Sequence, residues 1–168
     1  MPTLEELIGV DHLLDITISG HGDAKVAFLE QNISLLEVLT TLGFNGYHIQ
    51  LITHGDGWQE KLNWVRDNYQ NVLQPMGFNG YHVSQIVIGA DWEEKLDWVR
   101  DNYQNVLQPM GFEPTHAAKI LRSKGCEDKI DWLKKNYENS TYTQAEVARI
   151  MPSKDWLQRM NYSLTTNK

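Results

Sequence analysis

The chain has 168 residues and carries fifteen basic against twenty-two acidic side chains, a net charge of −7. That length suffices for one domain with a real core, and the acid excess repels polyanions at long range, which argues against a bulk nucleic-acid binder. A single cysteine, Cys126, excludes an intrachain disulfide and a cysteine-rich zinc cluster, and no apolar run approaches the roughly 18 residues of a membrane span.

Residues 1 to 20 predict two short helices, the first an N-terminal cap. Thr3 with Glu6 has the capping-box pattern. Gly20-His21-Gly22-Asp23 reads as a break with an acidic N-cap, and Ala24 to Leu42 as one long helix ended by Gly43. From Phe44 the plan recurs. Tyr47 to Thr53 predicts a short helix, His54-Gly55-Asp56-Gly57 a tight break with Asp56 as cap, and Trp58 to Met76 a long helix. Its Leu62, Val65, Tyr69, Val72, Leu73 and Met76 fall at spacings of three and four, one face of a 3.6-residue period. Pro75 and Gly77 mark its end.

The stretch WVRDNYQNVLQPMGF at 64–78 returns unchanged at 98–112, thirty-four residues later, and a third copy opens at Trp132 as WLKKNYEN. A period of this size is the signature of a stacked repeat. The next unit has its short helix around Val83 and Ile86, a Gly89-Ala90-Asp91 break and a long helix from Trp92 to Met110. A further unit starts at Phe112, with Pro114 in a first turn, a Ser123-Lys124-Gly125 break and a long helix from Glu127 to Asn139. An abbreviated unit closes the chain: a helix from Thr143 to Met151, a second from Trp156 to Tyr162, and a polar, frayed tail from Ser163.

Neither helix of such a unit buries its apolar face alone, so neighbours must stack. The expected fold is all-α, a right-handed superhelical α-solenoid of about four to five two-helix repeats with a 33–34-residue period. One helical-repeat domain is expected over 1–168: a cap and divergent repeat at 1–43, repeats at 44–77, 78–111 and 112–141, and a truncated repeat and tail at 142–168. The start has early acids and no basic segment, so no signal peptide is expected. The protein is expected to be soluble and cytoplasmic, or delivered into a host cell if it is an effector.

Set on this frame, the units read F-x-x-x-x-[IV]-x-x-I, a glycine-containing break, then a long helix with L-x-x-V and a G-F ending. Ile49, Ile52, Gly55, Asp56, Gly57, Leu62 and Val65 carry this pattern in one unit. Val83, Ile86, Gly89, Ala90, Leu96 and Val99 carry it in the next, and Pro114, Ile120, Ser123, Lys124, Gly125 and Ile130 in the third. The pattern resembles the repeats of TAL-effector-like (TALE-like) helical repeat proteins over roughly residues 11 to 160. The resemblance implies duplex DNA as partner, with base-reading loops at Gly55 and Asp56, Gly89 and Ala90, and Ser123 and Lys124. The chain departs from that family where Asp91 replaces the glycine after the reading position. It departs again where Gln59-Glu60, Glu93-Glu94 and Glu127-Asp128 open the long helices, placing carboxylates where phosphates would lie.

Several motifs have both a functional and a structural reading. His48, His82 and His116 recur at a spacing of 34. Units about one helix diameter apart, roughly 10 Å, hold equivalent histidines too far apart to share a metal, so a repeated packing or surface position is expected. The twin His-Gly-Asp motifs, His21-Gly22-Asp23 and His54-Gly55-Asp56, read as turn plus cap. Trp64, Trp98 and Trp132, with Arg66 and Arg100 beside them, read either as packing between units or as a partner-facing ridge. Cys126 stands where Trp58 and Trp92 do, and no recognised catalytic motif is present. The expected function is a non-enzymatic module binding a protein or peptide of basic and apolar character, without cofactor, metal, membrane or small-molecule substrate; the alternative is a TALE-like DNA reader or a degenerate relative of one.

Overall fold

The computed structural model describes residues 2–89 and 91–165, with the side chains of 163–165 left aside. All secondary structure among them is helical. The elements are α1 (Leu4–Ile8), α2 (Val10–Ile18), α3 (Gly22–Gln31), α4 (Ile33–Thr41), α5 (Gly46–Ile52), α6 (Trp58–Asn68), α7 (Gly80–Ile86), α8 (Trp92–Val106), α9 (Pro114–Arg122), α10 (Cys126–Asn136), α11 (Gln144–Ile150) and α12 (Trp156–Thr165). Contacts divide the chain inside α8, between Leu96 and Asp97, into two compact bodies.

In the first body the short helices pack in succession, α5 on α2 and α7 on α5, while α4 packs on α6. Leu29, Leu36, Leu39, Ile52, Leu62, Val65, Leu73, Val83 and Ile86 are closed off from solvent. In the second body α9 packs on α10 and α11, and α11 on α12. Leu107, Ala117, Ile120, Leu133, Val147 and Met160 form its interior.

Local chemistry sets most helix ends. Thr3 with Glu6 and Thr143 with Glu146 form reciprocal capping boxes. Pro114 opens α9, where its missing amide costs nothing. Gly43, Gly77 and Gly111 turn left-handed at φ of +91°, +86° and +80°. The phenylalanine after each then returns its amide to a carbonyl five residues back: Phe44 to Leu39, Phe78 to Leu73, Phe112 to Leu107. This six-to-one closure is a Schellman end, and its apolar residue is the first core residue of the next unit. The glycine-phenylalanine endings thus join units as well as stop helices.

The structure corrects several sequence expectations. Ala24 to Leu42 is not one helix: it breaks at Asn32, with φ −124° and ψ 40°, into α3 and α4. The Asn32 side chain donates to the Phe28 carbonyl at 2.8 Å, competing with the ladder bond to that oxygen. The same bond recurs from Asn68 to Trp64, Asn102 to Trp98 and Asn136 to Trp132. After Asn68 the expected long helix to Met76 loses α geometry, continuing as a π turn over Tyr69–Leu73 and a 3-10 turn over Gln74–Met76. Tyr69 and Leu73 are buried while Val72 and Met76 stay half-exposed, as Tyr103 and Leu107 are buried and Val106 and Met110 half-exposed in the next copy. The helix from Trp92 likewise stops at Val106 rather than Met110, and that from Cys126 at Asn136, before a 3-10 turn over Tyr137–Asn139. The tail expected to fray from Ser163 is helical to Thr165; 166–168 lie outside the described residues.

Asp23 and Asp56 do not cap. The N-cap residues of α3 and α6 are His21 and Gly57, both left-handed and without a side-chain bond to the helix. Asp91 instead meets the Lys95 ammonium at 2.9 Å.

Candidate functional site

The breaks are organised by lysines. Lys25, Lys61, Lys95 and Lys129 stand at one position of successive units, and all four are 4% exposed or less. Each is four residues before a core residue of its long helix (Leu29, Val65, Val99, Leu133), so its aliphatic stem lies in the apolar phase. Each ammonium folds back on its own break. Lys25 reaches the Ser19 hydroxyl at 3.0 Å, Lys61 the His54 carbonyl at 3.1 Å, and Lys129 the Ser123 hydroxyl at 2.8 Å and the Lys124 carbonyl at 2.6 Å. Lys95 takes Asp91. Burial pushes the Lys25 and Lys61 ammoniums below the usual lysine range, with Asp56 opposing the shift in both and Lys25 adding to it in Lys61. A recess of about 300 Å³ opens over Lys25, rimmed by His21, His54, Gly55 and Asp56. The sequence expectations do not include these lysines. The available signal was a lysine in phase with the core stripe in every unit.

The histidine row is a row of helix caps. His48 Nδ1 accepts the Asn45 amide at 3.2 Å, His82 Nδ1 the Asn79 amide at 3.2 Å, and His116 Nδ1 the Glu113 amide at 3.3 Å. Asn45 and Asn79 return the bond by accepting the amides of His48 and His82. The ring therefore fills the place usually held by glutamate or glutamine in a capping box, and it must keep Nδ1 unprotonated to do so. Burial lowers the pKa of His48, against a smaller opposing pull from the Gly43 backbone, and burial lowers that of His82. A folded-state pKa below the unfolded value of about 6.5 means the unfolded chain binds protons first as pH falls. The stability is full above about pH 6.5 and is lost as pH drops through the folded-state values. Thermal melts between about pH 7.5 and about pH 5 are expected to show Tm falling before carboxylates titrate. The fall shrinks when His48 and His82 are both replaced by glutamine, which caps without titrating; an equal fall in that variant rules the histidines out as its source.

The Trp-Arg ridge is uneven. Trp64 and Trp98 are half-exposed, and Arg66 and Arg100 are exposed. Arg66 holds Asp67 through two bonds of 2.6 and 3.0 Å, and Arg100 holds Asp101 the same way while also reaching Asp97 at 2.7 Å. Hydrogen bonds from these arginines keep the Asp67 and Asp101 carboxyls below the usual carboxylate range. Trp132 differs: it is 7% exposed, and its indole donates to Asn161 Oδ1 of α12 at 3.0 Å. Its edge lines a recess shared with Trp156 and Leu157. Tyr47 and Tyr81, at matched positions of α5 and α7, are 40% and 44% exposed.

At the base-reading positions, Gly55 and Asp56 are exposed, with Gly55 at φ +74°. Gly89 and Ser123 are half-exposed and Lys124 is exposed, while Ala90 lies outside the described residues. Exposed Glu60, Glu93, Glu94, Glu127 and Asp128 sit in the first turns that follow these breaks. No group of three metal-ligating side chains comes together among the described residues, the His-Gly-Asp motifs included. Within the same residues, no helix is long and apolar enough to cross a membrane.

The fold and these surfaces define the protein's class no further than an all-helical chain. Comparison with known proteins returns no match: no family model, no curated protein and no solved structure matches the chain.

Proposed function

We propose that the protein is a non-enzymatic binding module, an α-solenoid of two-helix repeats that engages a protein or peptide through its repeat surface. One observation carries this reading. Aromatic side chains stay at the surface at matched positions of successive units, although each unit has a closed core: Tyr47 with Tyr81, and Trp64 with Trp98. Large amphipathic side chains contribute most when buried by a partner, and Arg66 and Arg100 on the same helices as the tryptophans are exposed. The acidic balance favours a partner of basic and apolar character.

The alternative, TALE-like reading of duplex DNA, finds less support. Four lysines beside the breaks are buried with their ammoniums bonded within the chain, and the first turns after the breaks present carboxylates. Capture of a partner by immobilised protein should survive in the wild type and fall about 30-fold or more in affinity for the Trp64→Ala/Arg66→Ala variant. A partner held equally by both removes the ridge from the proposal. Retardation of random duplex at low salt, lost as salt rises, would favour the DNA reading instead.

A further inference from the structure

Helix α2 carries an exposed apolar stripe, Val10, Leu14 and Ile18, at 64%, 58% and 74% exposure. The residues are four apart and lie on one helix face. Aligning the buried Ile16, Ile52 and Ile86 of α2, α5 and α7 puts the stripe at Gly46, Gln50 and His54 of α5, and at Gly80, Ser84 and Ile88 of α7. That is the face by which a short helix lies on the preceding one. Gly46 sits against the Ile8 carbonyl and the His12 ring, and Gly80 against the His48 ring. Gln50 donates to Asp15 at 2.9 Å and accepts from His12 at 2.7 Å, and Ser84 is fully buried. In α2 the same face is apolar and bare.

The positions that receive such a face, His12 and Asp15 on α2, correspond to Glu146 and Arg149 on α11, the last short helix. Beside Arg149 lies a recess of about 480 Å³ lined by Tyr142, Ile150, Asp155, Arg159 and Tyr162. Ile150 is buried, and Tyr162 is 71% exposed. The charges are complementary. Residues 1–31 hold six acids, among them Glu5, Asp11 and Asp15, and one base, the buried Lys25. Residues 142–165 hold Arg149, Lys154 and Arg159 against Glu146 and Asp155.

We propose that the occupant of the α2 stripe is a second copy of this chain, whose α11–α12 recess receives it as a preceding short helix receives the next. The contact is heterologous: each copy uses its stripe on one neighbour and its recess on another, so assembly proceeds head to tail and does not stop at a dimer. This inference is independent of the ridge and its partner.

Sedimentation velocity on the full chain tests it. The wild type is expected to grow in mass with concentration and to dissociate with added salt. Leu14→Asp and Tyr162→Asp alter exposed side chains, and circular dichroism checks that both fold. Each variant alone is expected to be a monomer. An equimolar mixture is expected to give one-to-one dimers and nothing larger, because one intact stripe then meets one intact recess. A wild type monomeric at every concentration overturns the proposal, as does a mixture that stays monomeric. Continued dimerisation of Tyr162→Asp alone also overturns it, since that outcome means stripe-to-stripe pairing.

Discussion

Replacing Gly46 by alanine is expected to cost at least about 3 kcal/mol of stability, the upper end of over-packing effects. Gly46 is the buried first residue of α5, and a Cβ there would overlap the Ile8 carbonyl oxygen and meet the His12 ring at 2.9 Å. Backbone cannot swing aside as a side-chain tip can, so α5 must lift from the end of α1 as a body. Gly22 is held in the same way, its added Cβ overlapping the Thr17 carbonyl. Gly20, two residues earlier, has nothing within 4 Å of an added Cβ. Gly20→Ala should therefore stay within about 0.5 kcal/mol of the wild type, while Gly22→Ala behaves like Gly46→Ala. Denaturant melts of the three variants give the comparison. A mild Gly46→Ala would mean that α5 and the end of α1 are not in such close contact in solution.

The second large effect is expected at Lys61. It is 1% exposed, and its stem lies with Leu62 and Val65 in the interior while its ammonium holds the His54 carbonyl. Lys61→Ala removes three methylenes and the ammonium from a closed site and is expected to cost about 2–4 kcal/mol. Lys61→Met keeps most of that volume and drops a charge that burial already disfavours, so it is expected within about 1 kcal/mol of the wild type. The exposed loop lysine, Lys124, is the control, with Lys124→Ala expected near neutral. Amide exchange across residues 54–57 should rise in Lys61→Ala, because the break loses the group that ties it down. If Lys61→Met proves as costly as Lys61→Ala, the ammonium rather than the stem holds the break.

Much of this protein is legible in the chain because its signals are local. Capping at Thr3, the start at Pro114 and the glycine-phenylalanine endings each depend on groups within about five residues. The two short helices at the start are read the same way. The Asn32 break has an equally local cause, but the apolar residues on both sides of it mask a side-chain bond to the backbone.

The candidate surfaces are different in kind. Trp64, Trp98 and Trp132 are equivalent in sequence, yet two remain half-exposed and the third lies under α12. Nothing within a unit tells which neighbour will cover it. The histidine row shows the same limit: its spacing was plain, but its role depends on each ring turning back onto the backbone.

By itself the sequence determined where most helices begin and which residues repeat, since caps and turns are set by neighbours along the chain, but not where the long helices end. Only the tertiary structure decided which repeated residues disappear. Four lysines, formally surface residues, go inside because their stems share the core phase and their ammoniums find loop oxygens or a carboxylate. Gly46 and Gly22 matter because another backbone lies against them. Val10, Leu14 and Ile18 remain bare because nothing lies against α2 on that face. Burial depends on what packs opposite, and that information belongs to the fold rather than to the chain.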